Sequence, residues 1–288
     1  MNLSTRYALL GYAFLIPLFL ILGFVLFYPI GRAIWLSFYR KIVGSPAEFI
    51  GLGNYIEILT KEYFYICLKN TVVYTFSAVT LKALIGLIVA LALNRESRYR
   101  GILRTIALIP WTIPTFVIAL LYYWLFHTKL GAINIILESL GMQPVRWLTS
   151  PEWAMPSVIW VNFWRGMPFF AVTFLAGLQA IKLELYEAAE IDGAGYLQKL
   201  RHITLPGLKY VILTMVLLST IWTFGDFALI WILTAGGPGM ATTTLPIYIY
   251  NSAFSRLDIG YASALSIVTA PIFILLMVMT IRIILRGE

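Results

Sequence analysis

The chain has 288 residues, of which 60% are hydrophobic and only 12% charged, about half the charged share of a soluble domain at about 25%. Such a chain cannot hide its apolar surface from water, and no stretch is polar enough to form a soluble domain, so it reads as a polytopic membrane protein. The net charge of +8 then orients loops rather than binding nucleic acid, and a single cysteine, Cys67, excludes an internal disulfide.

A helix needs about 20 mostly apolar residues to cross a bilayer, and six stretches qualify. Residues 7–31 carry no charge. They form too long an apolar run, with no small-residue cleavage site after it, for a removable leader. Residues 70–93 form the second span, interrupted by Lys82. Residues 105–128 form the third, with Pro110 and Pro114 expected to kink its inner end. Residues 156–178 enclose Arg165, residues 210–233 enclose Asp226, and residues 259–281 make the sixth span. The expected fold is an all-α membrane protein, with residues 1–288 forming a single transmembrane domain.

Lysine and arginine in the loops set the orientation. Arg95, Arg98, Arg100 and Arg104 follow the second span; Lys182, Lys199, Arg201 and Lys209 follow the fourth; Arg6, Arg282 and Arg286 flank the ends. With six spans all of these share one side, which is therefore cytoplasmic, as are both termini. On the other side Arg40, Lys41, Lys61 and Lys69 are diluted by Glu48, Glu57 and Glu62.

The most polar loop, residues 183–206, lies between spans 4 and 5. Residues 183–192 are good helix formers, and Gly193 and Gly195 stop the helix. Leu205-Pro206 is expected to open the next element. A short helix outside the bilayer that presents Glu187, Ala188 and Ala189, with Asp192 and Gly193 at its end, suits a groove on another protein. The sequence has no Gly-Lys pair and hence no phosphate-binding loop. His127 and His202 are too far apart for metal-ligand spacing, and no nucleophile–histidine–acid set is present, so no enzyme is expected.

The order Glu187-Ala188-Ala189, then Gly193, then Ile203, Leu205 and Pro206, resembles the EAA loop of permease subunits of binding-protein-dependent ABC importers. In that family the short helix is the coupling helix that docks in a cleft of the ATPase. Further stretches resemble the maltose-type carbohydrate importers, and among them the first-type permease that pairs with a different second permease. They are Pro29-Ile30, Ser37-Phe38, residues 49–55 with Asn70-Thr71, residues 110–114, and residues 233–238. The resemblance implies a heterodimer with a second permease, two ATPase subunits that bind ATP and magnesium, an extracytoplasmic sugar-binding protein, and the inner membrane. No cofactor is implied in this chain.

Charges inside spans are costly and face a cavity or a partner. Asn162, Arg165, Gly166 and Phe169 share one face of the fourth span, and Ser219, Trp222, Thr223 and Asp226 share one face of the fifth. Hydroxyls and amides beside aromatic faces suit a sugar, and the resemblance implies that the substrate pathway runs along these two helices. A packing seam, or an ion pair of Asp226 with Arg165 or Lys82, is the alternative. Gly86 and Ala90 form a small-xxx-small pair suited to helix packing. Rival functions are a transporter driven by an ion gradient, which would need broken helices or a full repeat, and a channel subunit, which would want charge rings or a carbonyl filter.

Overall fold

The computed structural model describes residues 3–95 and 100–287. Arg98 lies outside them, and nothing is described of the side chains of Arg6, Arg100 and Arg286. The chain divides into two compact units. One holds the described residues up to Phe64 together with Ile249–Pro271; the other holds Tyr65–Tyr248 and the described residues from Ile272.

In the first unit, α1 (Leu3–Leu22) passes through a π-helical turn, Gly23–Phe27, into α2 (Tyr28–Leu36). Proline has no N–H to complete an ordinary helical turn, so the helix widens just ahead of Pro29, and the Tyr28 N–H bonds Gly23 O. The apolar stretch able to span a membrane is Phe14–Leu36, shifted toward the C-terminus from residues 7–31. It is followed by strands β1 (Tyr39–Arg40) and β2 (Glu48–Phe49), paired antiparallel, and by α3 (Gly53–Thr60). The Asn54 amide donates to the carbonyls of Ser37 (2.8 Å) and Tyr39 (3.0 Å), and the hydroxyls of Tyr55 and Ser37 bond at 2.6 Å. The Gly53-Asn54-Tyr55 run thus fastens the end of the first span to the loop that follows. A Cβ on Gly260 would lie 2.1 Å from Tyr39 O, so only glycine lets that backbone pass.

α4 (Glu62–Asn94) leads into the second unit, which continues with α5 (Arg100–Thr112), α6 (Thr115–Leu125), α7 (Ala132–Ser139) and α8 (Pro151–Ala180). The third span is not one kinked helix: α5 and α6 meet at 90°. Pro114 adopts an extended conformation, ψ 140°, and proline disfavours helix in the residue before it. After α9 (Leu183–Ile191), α10 (Tyr196–Lys199) runs through a π-helical turn, Leu200–Thr204, into α11 (Leu205–Phe224). Leu205-Pro206 opens α11, as expected, though without a break in the helix. It lies within a continuous helix from Tyr196, and the widened turn absorbs the missing Pro206 N–H as at Pro29. The fifth span ends at Phe224, before Asp226; α12 (Ala228–Thr234), α13 (Leu245–Tyr250) and α14 (Ile259–Gly287) follow.

Helices α5 and α11 lie against α8, and α12 lies against α6 and α8. One buried cluster joins Tyr74, Ile118, Tyr122, Val158, Leu229 and Ile230; a second joins Val79, Phe170, Phe174, Leu208 and Met215. A Cβ on Gly86 would lie 2.6 Å from Phe170 Cβ, so α4 and α8 cross closely there, the packing expected of a small residue. The side-chain amide of Asn70 donates to Met240 O (2.9 Å) and Thr243 O (3.1 Å), and Thr71 Oγ1 accepts from the Leu245 N–H (2.9 Å). Asn70-Thr71 thereby anchors the glycine-rich loop after α12.

Candidate functional site

A cleft of about 720 Å³, part of it open to solvent, is walled by α4, α5, α8 and α11. Six of the eight side chains expected to line a pathway border it: Arg165, Gly166, Phe169, Ser219, Trp222 and Thr223. Lys82, Trp111 and Phe170 complete the wall. Trp111 stacks on Phe169 with centroids 5.1 Å apart and planes at 8°, and Phe169 meets Trp222 at 6.1 Å. Together they make a continuous aromatic surface, with Trp222 59% exposed.

The same cleft holds a polar patch built on Lys82. This side chain is 4% exposed, and its ammonium donates to Ser219 Oγ (3.2 Å) and Thr223 Oγ1 (3.0 Å). Gly166 makes room for it: a Cβ there would lie 2.6 Å from Lys82 Cδ. Arg165 Nη1 donates to Thr115 Oγ1 at 2.5 Å, while its Nε is buried without a hydrogen-bond partner. Lys82, Arg165 and Asp226 are the three charged residues of the six predicted spans.

Asn162 and Asp226 are brought together, but not into the lining of the cleft. Asp226 falls in the break between α11 and α12, so it does not extend the helical stripe of Ser219, Trp222 and Thr223. Its Oδ2 accepts from the Tyr74 hydroxyl (2.8 Å) and from the Asn162 amide (2.9 Å), and that amide also reaches the Tyr74 oxygen at 2.8 Å. Asp226 Oδ1 lies 3.5 Å from the Leu229 N–H at the start of α12, where a carboxylate is favoured. Among the described residues, ion pairs join Lys61 to Glu57 and Lys199 to Glu190, and none joins Asp226 to Arg165 or Lys82. In place of the ion pair that was the alternative reading, Asp226 has a network of neutral donors.

Lys82 stood out in sequence as a charge in an apolar span, but only as a partner for Asp226. Trp111 was visible only within the Pro110–Pro114 run. Tyr74 carried no signal of its own, because one of three tyrosines on a 33-residue helix looks like core.

In the loop between the fourth and fifth spans, α9 ends one residue earlier than expected, and Gly193 turns the chain with φ +75°. The loop is braced from behind. Lys199 pairs with Glu190 at 2.6 Å, the hydroxyls of Tyr186 and Thr204 bond at 2.9 Å, and Gln198 Oε1 accepts from the Gly195 N–H at 2.7 Å. Glu187, Ala188, Asp192 and Gly193 stay exposed, and Ala189 is half-buried. Ile191 and Leu197 are 87% and 75% exposed, which gives this polar loop an apolar edge. Ile203 is half-buried in the following π-helical turn, and Leu205 and Pro206 are exposed one turn on.

A family profile described as the inner membrane component of binding-protein-dependent transport systems matches residues 82–286. The trehalose/maltose transport system permease protein MalF of Thermococcus litoralis is 38% identical over 281 residues, covering 97% of this chain and 94% of that one. The sulfoquinovosyl glycerol transport system permease protein SmoG of Agrobacterium fabrum is 36% identical over 278 residues, covering 96% and 90%. In the crystal structure of a bacterial ABC transporter involved in the import of the acidic polysaccharide alginate, a chain matches with a TM-score of 0.85 at 25% identity, covering 98% of this chain and 97% of that one.

Proposed function

The chain belongs to the inner membrane components of binding-protein-dependent transport systems, and we propose that it is a permease subunit of an ATP-driven carbohydrate importer. The observation that carries the carbohydrate reading is the lining of the cleft. Three aromatic rings in contact with one another line it together with hydroxyls and cations. Sugar C–H faces stack on such rings while a few polar groups fix orientation. Relatives whose names include trehalose/maltose and sulfoquinovosyl glycerol support that class.

In this reading the whole chain acts as one transmembrane domain with both termini in the cytoplasm. It pairs with a second permease to enclose the pathway, and an extracytoplasmic binding protein delivers the sugar. Two ATPase subunits hydrolyse ATP, and this chain contributes no ATP chemistry. The α9 loop docks in an ATPase groove through Glu187, Ala188 and the turn at Asp192-Gly193. Its internal ion pair and hydrogen bonds let it move as one rigid piece. Through the unbroken helix from Tyr196 to Phe224, that motion reaches Ser219, Trp222 and Thr223 in the cleft. The coupling is mechanical: one helix joins the docking loop to the substrate wall.

The test is reconstitution with the ATPase, second permease and binding protein in vesicles, with uptake of a sugar panel and ATP hydrolysis measured together. ATP-dependent uptake, with hydrolysis stimulated by the loaded binding protein, is expected. Uptake driven by an ion gradient without ATP would overturn the proposal.

A further inference from the structure

Within the six predicted spans there are two cations and one carboxylate, and among the described residues no ion pair joins the carboxylate to either cation. Lys82 and Arg165 line the cleft, whereas Asp226 lies outside its lining, with Oδ2 engaged by Tyr74 and Asn162. Neither cation has an ion-pair partner among the described residues. Among the described residues Lys82 donates to two hydroxyls, although an ammonium has three donors. Arg165 spends one terminal nitrogen on Thr115 and keeps a buried Nε without a partner. Two cations at one cleft within a span are costly unless an anion joins them, and a cavity that served neutral sugars alone would do better with amides or hydroxyls.

From this arrangement we propose that the substrate is an acidic sugar, and that its carboxylate or sulfonate sits between Lys82 and Arg165 while the ring stacks on Trp111, Phe169 and Trp222. This rests on the carbohydrate-importer reading and narrows it. The guanidinium supplies a planar fork that matches an oxyanion. The ammonium, carried on α4, is held by Ser219 and Thr223 of α11, and Gly166 leaves the space the lysine occupies.

The test uses the complete complex in vesicles with its own binding protein. The probes are a galacturonic acid disaccharide, its carboxyl-reduced neutral counterpart, and a sulfonated disaccharide. Because the binding protein is the same in every preparation, a changed ratio of acidic to neutral uptake belongs to this chain. Wild type should favour an acidic probe. Lys82→Met and Arg165→Gln should each lower the acid-to-neutral ratio roughly tenfold or more, the loss of a charge-assisted contact. Arg165→Lys, which keeps the charge, should retain the preference, a rescue that a purely structural arginine would not give. The carboxylate and sulfonate probes distinguish the two anions. Equal or better uptake of the neutral probe by wild type, or a parallel fall of all probes in the variants, overturns the acidic assignment and leaves the importer reading standing. ATP-independent uptake, or none of any sugar, overturns both.

Discussion

At the scale of single residues, the cleft depends on one glycine. Gly166→Ala places a methyl 2.6 Å from where Lys82 Cδ now lies, so the flexible end of the lysine must shift, which disturbs its contacts with Ser219 and Thr223. We expect the complex to assemble in normal yield but to lose most transport; normal transport by Gly166→Ala would mean that the position of Lys82 is immaterial. The Asn162–Tyr74–Asp226 network makes a different prediction. Tyr74→Phe leaves a carboxylate oxygen and an amide short of a partner, at a cost of about 1–3 kcal/mol, which should appear as a lower melting temperature of the solubilised complex. Because Asp226 pairs with neither cation, Asp226→Asn with Arg165→Gln should show no rescue, and the losses in yield should roughly add. Recovery of yield in the double variant would reinstate an ion pair.

The element that matters most is α9 with its bracing. Its exposed edge, Glu187 and Ala188 beside Ile191, is free to meet a partner, while Glu190 and Tyr186 face back to Lys199 and Thr204. Glu187→Lys should leave the chain inserted and folded but abolish stimulation of ATP hydrolysis. Gly193→Val should act similarly, because φ +75° disfavours a β-branched residue. Co-purification of the ATPase at wild-type levels with both variants would argue against docking here. The π-helical turns at Gly23–Phe27 and Leu200–Thr204 share one cause, a proline placed just beyond them at Pro29 and Pro206. They let a helix continue past a missing donor, which is why the loop and the fifth span are mechanically one piece.

For the whole molecule, the testable quantity is sidedness. In a Cys67→Ser background, a thiol at Glu184 should react only from the cytoplasmic face and one at Gln143 only from outside. Both positions are exposed. Labelling of both from one face would rule out six crossings, including the bent third span in which α5 and α6 meet at 90°.

Apolar run lengths, loop cations and the Glu187–Pro206 spacing were enough to specify a six-span helical protein with a partner-docking loop, because hydrocarbon thickness and the cost of charge in lipid act on sequence directly. The faces of the fourth and fifth spans were also legible, since helical period alone places Arg165 beside Phe169 and Ser219 beside Thr223. Three features depended on tertiary contacts. The break at Gly225–Phe227 removed Asp226 from its stripe, and propensity does not say where a long apolar helix stops. Lys82 entered the cleft because Gly166, on a different helix, leaves room for it. Asp226 found Tyr74 and Asn162 rather than a cation, because which side chain reaches a buried carboxylate is settled by how α4, α8 and the α11–α12 break meet in space, a relation that lies between elements and within none of them.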